Sequence, residues 1–566
     1  MFFVNEIFLR KPYWWIVIIA LIILLPFTGN VHLFDWDEIN FAECAREMIV
    51  TNTYHTPLIN FQPFWEKPPL FIWMQALSMK ILGISELAAR LPNVINGIIT
   101  LCLLYYFGKK WYSPSFGMLW ALVHLGSILP HLYFRSGIID PWYNLFGFLF
   151  FAGMLEFLKN DNIRWLMTGS VSLGLSVLTK GPAMILITGL SLMIVFFLGK
   201  KELRFDVRKL KTILYGFLIF VFTGSSWFLF EYFFGDKKII DAFLDYQIRL
   251  FKTQDSGHGG FLLYHFIVIL FGCFPASVVM LRYFSKSMPK DFYSKSMMIL
   301  MGVVLIIFSI VKTKIVHYSS MSYYSVSFLC AYVLQKNNNY LMNVQKILMT
   351  VIGIIIGLIL ILAGTIEHWK QFIIPYPEQS DVFAAENLKV NVNWYGFEFL
   401  SGVFLIGWIV WYSRIKAYSF KHHFYFFAGL ILWIDFTINN YVGKIEQYTQ
   451  NSAIVFFEYC GDNQYLVDTY GYKSYAYLFY GKRMPPSASD VKSIDNYLKN
   501  LENAGYDKIL SYNLAYLNWL INENTNRPTF VVSKIQDEQN ALNTGKFRKL
   551  YSKGGYVFFM KQQGCR

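Results

Sequence analysis

Long apolar runs separated by short polar breaks dominate the first 441 residues. A bilayer crossing takes about 20 consecutive, mostly apolar residues. Thirteen stretches approach that measure: 12–29, 88–107, 115–133, 141–158, 164–180, 182–199, 212–234, 260–283, 295–311, 317–335, 343–366, 396–413 and 422–441. Several are short, so one or two re-entrant or merged elements are expected among them. The stretch 69–84 is apolar but shorter still and reads as an interfacial or half-buried helix. The first run resembles a signal peptide in length. No small-x-small cleavage site precedes Asp35, however, and many spans follow, so it reads as an uncleaved first span.

Beyond residue 441 the pattern changes. The tail is polar, with short apolar stretches at 453–458, 465–469, 508–511, 529–533 and 556–560, which predict strands. Helical patterns near 489–503 and 513–522 lie between them. The fold class is therefore an α-helical polytopic membrane protein of about 13 spans over 1–441, followed by a small α/β domain over 442–566.

Lysine and arginine in the short loops set the orientation. Arg10 and Lys11 precede the first span, Lys109 and Lys110 follow the second, and Lys159 and Arg164 follow the fourth. Six more basic residues lie between 200 and 211, and Arg282, Lys286, Lys290 and Lys295 follow the eighth span. Arg414, Lys416 and Lys421 follow the twelfth. These loops alternate consistently. They predict a cytoplasmic N-terminus and an outer C-terminal domain, with further long outer segments at 30–87 and 235–259 and a shorter one at 367–395.

Composition agrees. Of 566 residues, 55% are hydrophobic and 15% are charged, against about 25% charged in soluble domains. The net charge of +14 is largely accounted for by topology and needs no nucleic-acid partner. Cys102, Cys273 and Cys330 fall in spans. Cys460 and Cys565 share the outer tail, where a disulfide and a free pair are equally open.

Charges near membrane depth are costly and draw attention. The first outer segment opens Asp35-Trp36-Asp37-Glu38, which is either a helix start with favourable dipole charges or a carboxylate base. Glu66-Lys67-Pro68-Pro69 follows, where the prolines start a new helix. Glu66 and Lys67 there are a surface ion pair or a contact for an anionic headgroup. Asp140-Pro141 has the form of an N-cap followed by proline. Lys180-Gly181-Pro182, Arg249, His258 in a glycine-rich turn, and Lys312, Lys314, His317 and Tyr318 complete the outer set. Snorkelling lysines and belt aromatics explain each singly. Together, carboxylates and cations on one face suit transfer from a lipid phosphate: a base for an acceptor hydroxyl and positive charge for the leaving phosphate.

The run Asp37-Glu38…Ala45-Arg46-Glu47-Met48…Glu66-Lys67-Pro68-Pro69-Leu70…Ala88-Ala89-Arg90-Leu91-Pro92 resembles the start of bacterial aminoarabinose-transferase-like enzymes. These are relatives of the dolichyl-phosphate-mannose protein mannosyltransferases. Leu178-Thr179-Lys180-Gly181-Pro182 and Lys312-Thr313-Lys314 are similar to the same family, in order over about 30–320. The resemblance implies a GT-C fold and an inverting glycosyltransferase. Such an enzyme takes a sugar from a polyprenyl (undecaprenyl) phosphate carrier on the outer face of the bacterial inner membrane. Its acceptor is a cell-envelope glycolipid, glycan or protein.

Carried over, Asp37 is the expected base or acceptor-positioning group, Asp140 a second essential aspartate, and Glu66, the partner of Lys67, a third catalytic carboxylate. Lys67 is expected on the donor phosphate, with Lys180 and Arg249 as weaker phosphate contacts. Lys312, Lys314, His258 and Tyr318 are the weakest expectations, for acceptor or phosphate. The sequence departs from the family in His317-Tyr318-Ser319-Ser320-Met321, which lacks the Leu-Pro expected after the tyrosine, and in the turn around His258. These departures bear on the acceptor and the sugar. No cofactor is required, and a divalent cation near Glu66 and Asp140 is left open. A lipid-linked saccharide flippase and a Wzy-like polymerase are the rival readings. A flippase would be expected to show matching broken halves and midplane polar sites, which the sequence does not display.

Overall fold

The computed structural model describes residues 11–199, 203, 207–252, 259–336, 341–503, 508–525 and 527–562. Helix forms on each of the thirteen apolar stretches. Glu86–Trp111, Arg208–Phe234, Phe292–Ile310 and Asn343–Gly364 are long and apolar enough to cross a bilayer alone. Tyr264–Gly272 and Ala276–Phe284 are bent by 111° at a short break, the broken form expected somewhere among the thirteen. The run 115–133 also divides, into Pro114–Leu125 and Ile128–Tyr133. Other helices carry polar residues into the bundle. In Ile163–Lys180, Ser172, Ser176 and Thr179 return their hydroxyls to carbonyls three or four residues back, so they enter without orphaned donors.

Apolar side chains point outward as well as inward. Leu214, Phe217, Leu218 and Phe222 are exposed on one long helix, and Ile347, Val351, Ile355, Leu358 and Leu362 on another. Exposed apolar faces of that extent suit acyl chains rather than water. The form is that of a multi-pass membrane protein.

Leu70–Leu82 is a short, half-buried helix on the stretch 69–84. It buries Phe71, Ile72, Ala76 and Met79 and leaves Leu77 and Ile81 exposed. Phe420–Thr449 runs unbroken past residue 441 and delivers the chain directly into the tail.

The tail holds a four-stranded sheet in the order Leu466–Tyr470, Thr529–Lys534, Tyr556–Lys561, Phe547–Lys553. The first pair is parallel and the other two are antiparallel. Two strand expectations are corrected. Residues 453–458 lie in the helix Asn451–Asp462, because Ala453, Ile454, Phe456, Phe457 and Cys460 form one buried face at helical spacing. Residues 508–511 open the helix Lys508–Asn522. The edge strand Phe547–Lys553 was not foreseen; after Phe547 its residues are exposed, so no apolar alternation marks it. Cys460 is buried and free, and Cys565 lies outside the described residues.

Two cores position the site. One fills the helical bundle around Trp120, Phe148, Phe328 and Tyr332. The other is shared: Ile39, Phe41, Met48 and Phe71 of the first loop pack with Ile454, Phe457, Tyr477 and Phe558 of the tail.

Candidate active site

The site begins at the helix Asp37–Thr51, whose first two residues have separate tasks. Glu38 turns inward. Its carboxylate accepts from Arg90 Nε at 2.9 Å and Nη2 at 2.7 Å, from Phe34 N–H at 2.9 Å and from Gly137 N–H at 2.5 Å. Arg90 also donates to the carbonyls of Thr28, Val31 and His32. Burial alone would raise the Glu38 carboxyl, but Arg90 and the two amides hold it below its ordinary value. The Asp-Glu and Ala-Arg-Leu-Pro motifs are thus two halves of one clamp. Asp37 is left at the mouth, its side chain 39% exposed.

Asp140 is the second carboxylate. It stands in the first turn of Asp140–Asn160, but its side chain does not cap that helix. Oδ1 accepts instead from Lys180 Nζ at 2.7 Å. His317 Nε2 lies 3.6 Å from Asp37 Oδ2 and 3.8 Å from Asp140 Oδ2. Both distances exceed a hydrogen bond, a spacing common in catalytic groups before substrate arrives. Asn144, one turn after Asp140, donates to Ser320 Oγ at 2.7 Å, and that hydroxyl donates to the His317 carbonyl. This fixes the turn that presents the imidazole. Burial lowers the His317 imidazole by more than Asp140 raises it, and Lys180 and Lys67 act in the same direction as burial. His317 belongs to the outer set named from the sequence, which gave it no role of its own; its place between the two carboxylates is what the structure adds.

Lys67 does not pair with Glu66. It reaches the Tyr246 hydroxyl at 3.3 Å, and its ammonium lies 4.7 Å from the centre of that ring. Arg249 lies 5.3 Å from the same ring, so one tyrosine gathers two cations. Tyr246 and Arg249 lie on the helix Lys237–Lys252, whose Phe243 and Gln247 stand beside Gly181. Gly181 has φ +104°, and a Cβ there would meet Phe243 at 3.1 Å. The Lys-Gly-Pro motif is therefore a backbone requirement beside a charged group. Tyr318 sets its ring 5.1 Å from Lys180 Nζ.

Other expected residues stand apart. Glu66 is half-buried and acts on Tyr475 and Cys44, away from the partners of Asp140. Lys314 donates to the carbonyls of Phe308, Ser309 and Val311 at 2.7–2.8 Å, closing the end of the preceding helix. Lys312 is exposed, and His258 lies outside the described residues.

Behind the Glu66-Lys67 corner lies a cavity of about 690 Å³. Trp73, Leu77, Trp227 and Phe230 line it, with Lys80 and His55 among its polar groups. Trp73 and Trp227 also belong to the apolar cluster that includes Trp65, Leu70 and Leu178. The cavity is thus contiguous with the packing beneath Lys67 and Lys180.

Comparison with known proteins gives this geometry a lineage. The profile of the dolichyl-phosphate-mannose-protein mannosyltransferase family matches residues 66–227. The structure superposes on ArnT from Cupriavidus metallidurans bound to undecaprenyl phosphate with a TM-score of 0.72, at 15% identity, covering 96% of this chain and 97% of that one. The chain has an ArnT-like GT-C fold. In sequence, the ArnT-like chain is 28% identical to an uncharacterised protein of Aquifex aeolicus, covering 58% of this chain and 74% of that protein. It is 24% identical to the undecaprenyl phosphate-alpha-4-amino-4-deoxy-L-arabinose arabinosyl transferase of Wigglesworthia glossinidia brevipalpis. That match covers 63% of this chain and 64% of the relative, just under two thirds of its length. The sequence matches with a named activity are to transferases named for a sugar linked to a lipid phosphate.

Proposed function

We propose that this chain is an inverting glycosyltransferase of the bacterial inner membrane, moving a sugar from a polyprenyl phosphate to a cell-envelope acceptor on the periplasmic face. The observation that carries the reading is the contrast between two neighbouring carboxylates. Asp140 has its charge met by Lys180 at 2.7 Å, while Asp37 stands partly exposed with His317 at the longer distance of 3.6 Å. Among the described residues, Asp37 has no ion-pair contact shorter than that 3.6 Å approach, and a half-exposed carboxylate beside a compensated one suits a base waiting for its substrate.

In this reading the acceptor oxygen attacks the anomeric carbon from the face opposite the phosphate. The carbon–oxygen bond to the phosphate breaks, its electron pair leaves on the phosphate, and an acceptor hydroxyl gives its proton to Asp37. An acceptor that is itself a phosphate has no proton to lose, and Asp37 then positions it. Lys67 and Arg249, gathered at Tyr246, meet the charge left on the carrier phosphate. The carrier's isoprenoid chain extends from there into the apolar cavity. Lys180 offsets the charge of Asp140, and His317 stands between the two carboxylates. No cofactor is assigned to the step. The N-terminus is cytoplasmic and the C-terminal domain periplasmic, following the loop charges.

The test is release of free polyprenyl phosphate from a panel of radiolabelled polyprenyl-phosphate monosaccharides, using the full chain in lipid. Release should require an added envelope acceptor. It should fall about 10²–10⁴-fold in Asp37→Asn and about 10²–10³-fold in Lys67→Ala. Movement of labelled lipid across the bilayer without release would overturn the proposal in favour of a flippase.

A further inference from the structure

We infer that His32, Glu86 and Glu458 form a binding site for a divalent transition-metal ion that joins the first loop to the C-terminal domain. The three residues come from the segment after the first helix, the start of Glu86–Trp111 and the middle of Asn451–Asp462. One ligand atom from each lies within 4.8 Å of the others, and all three side chains are half-buried.

Three features distinguish this group from a chance meeting of charges. The first is spacing. His32 Nε2 and Glu458 Oε1 stand 3.5 Å apart. Two ligands at ordinary zinc distances span a tetrahedral edge of about 3.4 Å. The second is the outer partner. His32 Nδ1 faces Glu446 Oε1 at 3.1 Å, and Glu446 is buried. A carboxylate on the far nitrogen of an imidazole fixes its orientation and presents the other nitrogen to a metal. The third is charge. Glu86, Glu446 and Glu458 surround a single imidazole, and the nearby Arg90 is committed to Glu38. The surplus is negative.

The donor set also selects the ion. One imidazole and two carboxylates suit Zn²⁺ and its neighbours among the divalent transition metals, whereas Ca²⁺ and Mg²⁺ prefer all-oxygen shells. Three protein ligands leave a fourth position for water. The site lies beside the Arg90 clamp, since Arg90 Nη2 donates to the His32 carbonyl at 3.0 Å. Its ion would act as a brace between the loop bearing Asp37 and the tail, taking no part in the transfer itself.

The experiment strips the purified full-length chain with a chelator, reloads it with Zn²⁺ alone and removes unbound ion. Bound metal is counted by mass spectrometry and Tm is read with and without Zn²⁺. The native chain and Asp37→Asn should each retain one equivalent and rise in Tm. His32→Ala and Glu458→Gln should each bind at least tenfold more weakly and show no rise. Glu458→Gln keeps the side-chain shape at a partly exposed position, so it reports even where His32→Ala fails to fold. Full retention by Glu458→Gln, or no retention by the native chain, would overturn the inference. So would loss in Asp37→Asn with retention in Glu458→Gln, which would place the ion at the carboxylates near Asp37.

Discussion

Arg90 holds Glu38 through two hydrogen bonds, 2.9 Å and 2.7 Å long, across 52 residues of sequence. The pair is buried on both sides. It fixes the start of the Asp37–Thr51 helix and so decides where Asp37 stands. Removing one partner of such a pair strands the other charge, at a cost of about 3–5 kcal/mol. Arg90→Ala should lose that much stability and nearly all activity. The double variant Arg90→Met with Glu38→Gln should recover much of the stability. Thermal unfolding of the three chains checks this, and equal stability for the single and double variants would count against it.

Lys180 performs the same service for Asp140, and its loss should be read mainly in rate. Lys180→Met leaves a carboxylate with side-chain exposure of only 4% facing no cation. Turnover should fall at least about 10²-fold, the scale of removing one well-placed charged group. Lys180→Arg should restore part of it. A variant that turns over normally would show that compensation of Asp140 does not matter to the reaction.

Gly181 sets the corner that carries Lys180. At φ +104°, alanine is strained whatever space surrounds it, and here its methyl also meets Phe243. Gly181→Ala should cost more than about 1 kcal/mol and reduce turnover together with stability. Adding Phe243→Leu should relieve only the contact. Measuring Tm and rate for both variants separates strain from crowding.

His317 Nε2 stands 3.6 Å from Asp37 and 3.8 Å from Asp140, within reach of both once substrate draws the groups together. His317→Ala should slow transfer. His317→Gln, whose amide can still donate toward Asp37 and Asp140, should recover part of the rate. A rate in His317→Ala equal to the native one would remove it from the site.

Glu47 gives a pH signature. Its Oε2 accepts from Phe61 N–H at 2.8 Å, while Oε1 is buried. Burial raises this carboxyl well above its ordinary value, and the neighbouring Glu43 adds to it. The folded chain therefore keeps a proton that the unfolded chain releases above about pH 4.3. Stability is lost as pH rises above that value until the folded group also ionises. Glu47→Gln removes the dependence, so its Tm relative to the native chain should climb between pH 5 and pH 8. A constant difference across that range would refute the assignment.

The helices were legible because membrane depth demands long apolar runs, and few other folds produce them. Site geometry was legible only where a motif pairs with another motif. Asp37 and Glu38 are adjacent and chemically alike, and their tasks part only because Arg90 lies opposite one of them. The run 317–335 reads as a span, which leaves His317 without a role in the sequence; the long helix begins at Ser322 and leaves the imidazole in the short helical turn before it. The apolar residues at 453–458 suit either a strand or a helix. The sheet they pack against, built partly from residues 529–534, decided between the two. The ammonium of Lys314 is taken up by the open carbonyls at the end of the preceding helix, a demand that no sequence motif announces.

The shared core of first loop and tail also sets an order of events during synthesis. Leu33 N–H donates to Tyr480 Oη at 2.7 Å across 447 positions of sequence. At about 5–20 residues per second, the ribosome takes about 20–90 s to supply that partner. The loop bearing Asp37 thus leaves the ribosome well before the segment that seats it. Until the tail arrives, the newborn chain is a bundle of membrane helices with an unfinished centre. Chains cut short before residue 480 should reach the membrane and remain inert there.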